Sequence, residues 1–135
     1  TGMDISVPNN TPLFAATDAV VRYVGGSYGA IIAETKQKAP NGATIFINYQ
    51  HMSSISVHVG QEIKVGDPVG RSGNRGTSAY HLHFGVWKTG SFLSGHDSVN
   101  SPSGQATLSK MLHPMNYLPD DGRNVAECRK PYVLP

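Results

Sequence analysis

Residues 73–87 have the sequence GNRGTSAYHLHFGVW, in which a glycine-punctuated loop leads into an apolar, aromatic segment that carries a His-x-His pair. In a β-strand, alternate side chains face opposite sides of the sheet. His81 and His83 would then share one face, and the apolar residues that alternate with them would share the other. Those apolar residues are Leu82, Phe84 and Val86. The stretch therefore predicts a strand with one buried face and one polar face.

The spacing of the two histidines has a chemical consequence. Two residues of a strand span roughly 7 Å, at a rise of about 3.3 Å per residue. At that separation both imidazoles can converge on one small object, such as a metal ion with its bound water. The alternative is a pair of half-exposed histidines at a sheet edge, and the pair alone does not distinguish the two.

The remainder of the first 88 residues is typical of short strands separated by turns. The chain contains 15 glycines and 9 prolines, and no segment before Ser103 keeps a helical apolar period for three turns. β-Branched and aromatic runs predict further strands at 13–16, 19–24, 29–34 and 44–49, with short strands and glycine-centred turns over 55–70. His58 falls on a polar position of that last alternation and is predicted to face solvent. The fold class is all-β, a small antiparallel sheet.

The C-terminal third has a different pattern. Residues 88–104 are predicted to form a long irregular loop, and residues 105–112 a short C-terminal helix with Ser103 as its N-cap. Residues 120–135 are predicted to be an extended or partly ordered tail. His96 and His113 have no partner at a metal-ligand spacing and are interpreted as structural or solvated.

Length and charge restrict the classes of function. A chain of 135 residues with 39% hydrophobic residues suits one domain, assigned here to residues 1–135 with a core of about 2–88. The net charge of +2 comes from scattered basic residues without a basic run, which argues against nucleic-acid binding. No window approaches the ~18 consecutive apolar residues of a transmembrane segment. Cys128 is the only cysteine, so it excludes an internal disulfide and leaves a free thiol or a disulfide to a missing segment.

Four segments in order resemble the lysostaphin/LytM-type zinc endopeptidases, which cut peptidoglycan peptides. They are Gly2-Met3-Asp4-Ile5, the run YQHMSSI at 49–55, the paired VGQ and VGD at 59–61 and 65–67, and residues 73–84. The resemblance covers about residues 2–88, with a weaker match at 113–118. It implies a small antiparallel half-barrel of the LytM (duplicated hybrid motif) type, with a Zn²⁺ ion in a groove floored by the sheet. It also implies a peptidoglycan peptide as substrate, and a place in the periplasm, the cell envelope or the secreted proteins of a bacterium or phage.

The resemblance assigns roles to four residues. Asp4, in Gly-x-Asp, and His83, the second histidine of His-x-His, match two zinc ligands. His51 and His81 match two histidines of the site that do not bind zinc. Chemistry is consistent with these roles, since an imidazole beside a metal-bound water can take its proton and a second can stabilise the oxyanion.

Two positions depart from the pattern. The third zinc ligand of the family is a histidine four residues before the aspartate, and that position lies immediately before Thr1. We expect the parent protein to carry this histidine; the other reading is a degenerate site. Ala79-Tyr80 stands where relatives have a small pair, so Tyr80 either narrows the groove or packs on its rim.

Two functions remain open from the sequence. The first is a zinc-dependent endopeptidase that cleaves peptidoglycan cross-links. The second is a catalytically inactive LytM-like module that binds peptidoglycan or regulates a partner hydrolase. The residue before Thr1 and the metal content of the parent protein distinguish the two.

Overall fold

The computed structural model describes residues 3–38, 42–89 and 111–112, with residues 87–89 and 111–112 described by their backbone alone. All regular elements in this part of the chain are strands. They are β1 (Met3–Ile5), β2 (Pro12–Phe14), β3 (Ala19–Gly25), β4 (Ala30–Lys38), β5 (Thr44–Gln50), β6 (Met52–Ile55), β7 (Glu62–Ile63), β8 (Pro68–Ser72), β9 (Leu82–Thr89) and β10 (Met111–Leu112). The all-β prediction is confirmed.

The strands form two antiparallel sheets. The larger has the order β1-β9-β5-β4-β3-β7, with β10 also paired to β9, and the smaller has the order β2-β8-β6. Strand β5 pairs along its whole length with β9, from Thr44 opposite Thr89 to Gln50 opposite His83. This pair places β9, with its histidine, between β1 and β5.

The hydrophobic core lies between the two sheets, because its members come from both. The large sheet contributes Ile31, Ile47, Tyr49, Leu82 and Phe84, and the small sheet contributes Leu13, Met52 and Val69, all fully buried. The Tyr49 hydroxyl accepts a hydrogen bond from the Ala16 amide at 2.9 Å, which ties the buried ring to the chain after β2. Burial of an aliphatic side chain contributes about 1.5–3 kcal/mol, so this shared interior is the main stabilising feature of the fold.

The alternation in β9 places residues as predicted. Leu82, Phe84 and Val86 are buried in the core, whereas His81 and His83 are partly exposed on the opposite face. His58 is exposed, also as predicted. The predicted strands at 13–16, 19–24, 29–34 and 44–49 correspond to β2 to β5, with boundaries that differ by at most four residues.

Two predictions in the C-terminal third are corrected. Met111 and Leu112 form strand β10 against Trp87 and Val86 of β9, so the predicted helix is wrong at its last two residues. Lys88 and Thr89 belong to β9 and not to the predicted loop. The strand conformation of β10 results from its pairing with the edge of β9. A local apolar pattern could not predict this pairing, because it depends on a tertiary contact.

Other predictions fall outside the described residues. They concern residues 90–104, the first six residues of the predicted helix, the tail, His96, His113 and Cys128. The assignment of residues 90–135 to the same domain stays a prediction. Among the described residues, no helix is long and apolar enough to span a membrane.

Candidate active site

The site lies on the face of the large sheet that points away from the core. Asp4 is opposite His83 in the β1–β9 pair, and Gln50 is opposite His83 in the β5–β9 pair. Directly opposed residues of antiparallel strands project to the same side of the sheet. The three side chains therefore form one row across β1, β9 and β5.

Asp4 is the acidic centre of this row. His83 Nδ1–H donates to Asp4 Oδ1 at 2.8 Å, and His81 Nε2 lies 3.5 Å from the same oxygen. Partial burial acts to raise the pKa of the Asp4 carboxyl. The hydrogen bond from His83 and the charges of the three neighbouring histidines outweigh that effect, so the pKa of Asp4 is below its ordinary value. Asp4 is consequently an anion at neutral pH.

His51 follows β5 in an unusual backbone conformation. Its φ of 67° lies in the left-handed region, which non-glycine residues seldom adopt. The His51 amide donates to the Tyr28 carbonyl at 2.7 Å, which holds the turn in place. The ring centroid of His51 lies 4.7 Å from that of His81 and 6.0 Å from that of His83. Because the chain bends at His51, its ring lies next to the rings of His81 and His83.

One hydrogen bond defines the tautomer of His51. Its Nδ1 lies 2.5 Å from the backbone oxygen of Arg75. A carbonyl oxygen can only accept, so Nδ1 carries the proton and Nε2 of the neutral ring carries a lone pair. Burial lowers the pKa of His51, and the charges of His81 and His83 lower it further, against the opposing effects of the Arg75 carbonyl and Asp4. His51 is therefore a neutral imidazole with a free acceptor nitrogen at pH 7.

His81 is oriented by a similar contact. Its Nδ1–H donates to the Ala79 carbonyl at 3.1 Å, which leaves Nε2 as the nitrogen nearest to Asp4. In the neutral ring this Nε2 is an acceptor that faces a carboxylate oxygen. His81 Nε2 and Asp4 Oδ1 are then two acceptors that can share a proton or bind a cation.

Asp4 and His83 fit two of the positions of a zinc site. Two ligands at 2.0–2.1 Å from a tetrahedral zinc ion are separated by roughly 3.3 Å, and the observed Nδ1–Oδ1 distance is 2.8 Å. The Asp4 side chain is 63% exposed, so a shift of this size meets little resistance. A metal held by these atoms would replace the proton that they share. Among the described residues, no group of three His, Cys, Asp or Glu side chains has a metal-binding arrangement.

The structure thus brings together the four residues singled out from the sequence, Asp4, His51, His81 and His83. It also reveals groups that the sequence did not indicate. The backbone carbonyls of Tyr28 and Arg75 fix His51, and backbone groups carry no sequence signal. Tyr80 is 50% exposed beside the site.

Two buried amides make the sheet beside His83 polar. Gln50 is 3% exposed and Asn48, two residues earlier on the same face of β5, is 1% exposed. Gln50 Nε2 and both polar atoms of the Asn48 side chain have no hydrogen-bond partner in the part of the chain described. A buried polar group that stays unpaired costs about 1–3 kcal/mol.

Comparison with known proteins identifies the family. Residues 1–95 match the profile of Peptidase family M23. The chain belongs to this family. The LytM-type fold and the resemblance to lysostaphin-like peptidases are accordingly confirmed.

Solved structures share the fold along most of the chain. LytU superimposes with a TM-score of 0.69 and 25% identity, over 93% of this chain and 79% of LytU. The catalytic domain of the antimicrobial peptidase lysostaphin from Staphylococcus simulans gives a TM-score of 0.64 and 26% identity, over 84% of this chain and 74% of that domain.

A curated relative with a stated activity is the peptidoglycan DD-endopeptidase ShyA of Vibrio cholerae. It is 33% identical over 89 residues, which are 62% of this chain and 19% of ShyA. The chain spans between 17% and 33% of the length of five of the curated relatives that it matches.

Proposed function

We propose that this domain is a zinc-dependent endopeptidase that cleaves the peptide cross-links of bacterial peptidoglycan. The observation that carries the proposal is the convergence of Asp4, His51, His81 and His83 on one face of the sheet, with His51 Nε2 left free as a base. Membership of Peptidase family M23 supports the same reaction class.

Asp4 and His83 are the proposed zinc ligands within this chain, and the resemblance to the family implies a third, a histidine four positions before Asp4. Zinc with three protein ligands and an open position lowers the pKa of water towards ~7 and polarises a peptide carbonyl. The carboxylate and the imidazole supply an oxygen and a nitrogen donor, which zinc accepts readily.

His51 is the proposed general base. Its Nε2 accepts a proton from the attacking water while Nδ1–H remains bonded to the Arg75 carbonyl. The same Nε2–H can then be delivered to the leaving amine, so the proton is conserved over the cycle. The lowered pKa of His51 keeps the ring neutral before attack.

His81 is the proposed oxyanion group. When it carries protons on both nitrogens, Nδ1–H remains on the Ala79 carbonyl and Nε2–H is free to donate to the carbonyl oxygen that gains charge. Its contact with the His51 ring, at 4.7 Å between centroids, places the base and the donor side by side.

The substrate assignment rests on the relatives. ShyA is a peptidoglycan DD-endopeptidase and lysostaphin is an antimicrobial peptidase. Peptidoglycan lies outside the cytoplasm, so we place the domain in the cell envelope or among secreted proteins.

Digestion of purified peptidoglycan by the full-length protein tests this proposal. Mass spectrometry should find new peptide amino and carboxyl ends, which disappear with a chelator and return with added zinc. Binding to peptidoglycan without any new ends, by a protein that contains no metal, would instead identify a catalytically inactive binding module.

A further inference from the structure

Arg75 lies in a turn that is attached directly to the site. The Thr77 amide donates to the Asn74 carbonyl at 3.1 Å, which makes Arg75 and Gly76 the central residues of a β-turn. The Arg75 carbonyl accepts the hydrogen bond from His51 Nδ1 at 2.5 Å. The main chain of Arg75 is thereby fixed beside the proposed base.

The side chain of Arg75 extends from this turn across the backbone of Gly29. Its Cδ lies 2.8 Å from the position that a Cβ on Gly29 would occupy, so the stem passes over a backbone with no side chain. The side chain is exposed, and its guanidinium makes no hydrogen bond or ion pair with any described residue. A guanidinium is charged at every relevant pH. Within the described part of the chain, the edge of the site therefore carries a cation without a partner.

Most other described cations are differently placed. Arg22 and Lys38 pair with Glu34, and Lys36 pairs with Glu62. Arg71 donates to the Asn10 carbonyl. In contrast to these, Arg75 combines a guanidinium that has no partner among the described residues with a main chain that contacts His51.

We propose that Arg75 is a specificity residue that binds a free carboxylate of the substrate, and that the domain therefore selects anionic stem peptides over uncharged bridges made of glycine. The inference rests on the proposed function and specifies its substrate class. A guanidinium matches a carboxylate through two parallel hydrogen bonds, which makes arginine the usual residue for this task. The Asp4 carboxylate does not compete for it, because Asp4 is engaged by His83.

The reach of the side chain limits where the carboxylate lies. An extended peptide advances about 3.3–3.6 Å per residue. Since the main chain of Arg75 contacts His51, the carboxylate is expected within two or three residues of the scissile bond. Peptide stems that carry carboxylates near the cross-link meet this condition, and the interior of a glycine bridge does not.

The test compares two synthetic substrates with the full-length protein. One is a cross-linked stem-peptide dimer with free carboxylates, and the other is the same dimer with each carboxylate converted to a primary amide. Both kcat/KM for cleavage and Kd for binding, by calorimetry on a metal-free preparation, are measured for each.

Four proteins are compared: the wild type, Arg75→Gln, Arg75→Lys and the control Lys64→Gln. Arg75→Gln removes the charge but keeps the carbonyl that holds His51. Lys64 is an exposed cation beside β7, at the end of the large sheet farthest from β1 and β9. Its substitution removes the same charge without touching the site.

The wild type should prefer the carboxylate dimer in both measurements. Arg75→Gln should weaken kcat/KM and binding of that dimer by about 10- to 100-fold, the scale of one charge-assisted hydrogen-bonded contact, and should leave the amide dimer unchanged. Arg75→Lys should be intermediate, and Lys64→Gln should match the wild type.

Equal affinity of the wild type for both dimers would overturn the role of Arg75. An equal loss on both dimers in Arg75→Gln would also overturn it, because it would show that the stem acts only by packing on Gly29. If the wild type binds the carboxylate dimer selectively but cleaves neither dimer, the selectivity stands and the proposed peptidase activity fails.

Discussion

At the scale of single residues, His51 combines a strained backbone conformation with a proposed catalytic role. Non-glycine residues in the left-handed region cost of order 1–3 kcal/mol and cluster at active sites. Here the cost is offset by two hydrogen bonds to carbonyls, one from the amide to Tyr28 and one from the ring to Arg75. The result is a neutral imidazole that lies beside the rings of His81 and His83.

Replacement of His51 by Asn tests its catalytic role with little disturbance of the backbone, because Asn tolerates a positive φ. We expect peptide hydrolysis to fall by roughly 10²-fold or more, the scale of losing one acid–base group.

Replacement of His81 by Ala should lower peptide hydrolysis by a similar factor, because it removes the proposed oxyanion donor. Steady-state assays should show no loss for the control His58→Asn, which changes an exposed histidine away from the site. A His51→Asn protein as active as the wild type would remove His51 from the mechanism.

The lowered pKa of His51 also predicts a dependence of stability on pH. In the unfolded chain the imidazole takes up a proton near pH 6.5, whereas in the folded protein burial delays protonation to a lower pH. Below about pH 6.5 the unfolded state therefore binds more protons, and the free energy of unfolding falls as the pH is lowered through this range. Above pH 6.5 the contribution is complete. The depressed pKa of Asp4 acts in a separate window, below its ordinary value of 3.8.

Urea unfolding of the metal-free protein at pH 7.5 and pH 5.5 measures this effect. The wild type should lose more stability between the two values than His51→Asn does. Equal losses in the two proteins would show that His51 is not the group responsible.

At the scale of elements, the site depends on the register of three strands and on two turns. A slip of β9 by one residue against β5 would turn His83 into the core and Phe84 towards the site. The seven consecutive pairs between β5 and β9 make such a slip costly. The Gly29 amide donates to the Gly26 carbonyl at 3.2 Å, which places Tyr28 in a turn. This turn and the turn at Arg75–Gly76 each provide a carbonyl that binds His51.

Contact between these two turns is tested at Gly76. A Cβ on Gly76 would lie 2.5 Å from Cδ1 of Tyr28, and its φ of 73° already disfavours a side chain. We expect Gly76→Ala to lower both stability and kcat, because the turn that presents the Arg75 carbonyl has to move. Gly60→Ala is the matched control: its φ is 89° and no atom lies within 4 Å of the added Cβ. It measures the cost of the positive φ alone, about 1–2 kcal/mol.

Removal of the ring should relieve the clash. In the double variant Gly76→Ala with Tyr28→Ala, the cost of the alanine at position 76 should fall to that of Gly60→Ala, which corresponds to a coupling of about 0.5–3 kcal/mol in a double-mutant cycle. Additive costs, measured by urea unfolding, would show that Tyr28 and Gly76 are not coupled.

At the scale of the whole molecule, the sequence predicted the features that follow from local alternation. The buried and polar faces of β9 and the strand character of β3 to β5 could be read from β-branched and aromatic periodicity. The four residues of the site could be named because their motifs occur in a specific order. The pairing of Asp4 with His83, which are 79 positions apart, could not be derived from spacing and becomes evident only from the register of β1 and β9.

Other features depend on tertiary contacts that a sequence pattern does not report. Leu108, Met111 and Leu112 have a helical spacing, yet the last two pair with the edge of β9. The carbonyls that hold His51 belong to backbone groups that every residue possesses. Arg75 stood within the most informative stretch of the sequence, but its position beside His51 required the turn at Gly76 to be located.

The central claim is that two residues of this chain bind zinc and two others act on the substrate. Zinc content per mole of purified full-length protein, measured by elemental analysis for four single variants, tests it most directly. We predict that Asp4→Ala and His83→Ala lose both zinc and activity while retaining a β-rich fold, and that His51→Ala and His81→Ala retain zinc at the level of the wild type. Stoichiometric zinc in Asp4→Ala would contradict the ligand assignment, and so would a His51→Ala protein that loses its zinc but regains cleavage when excess metal is supplied.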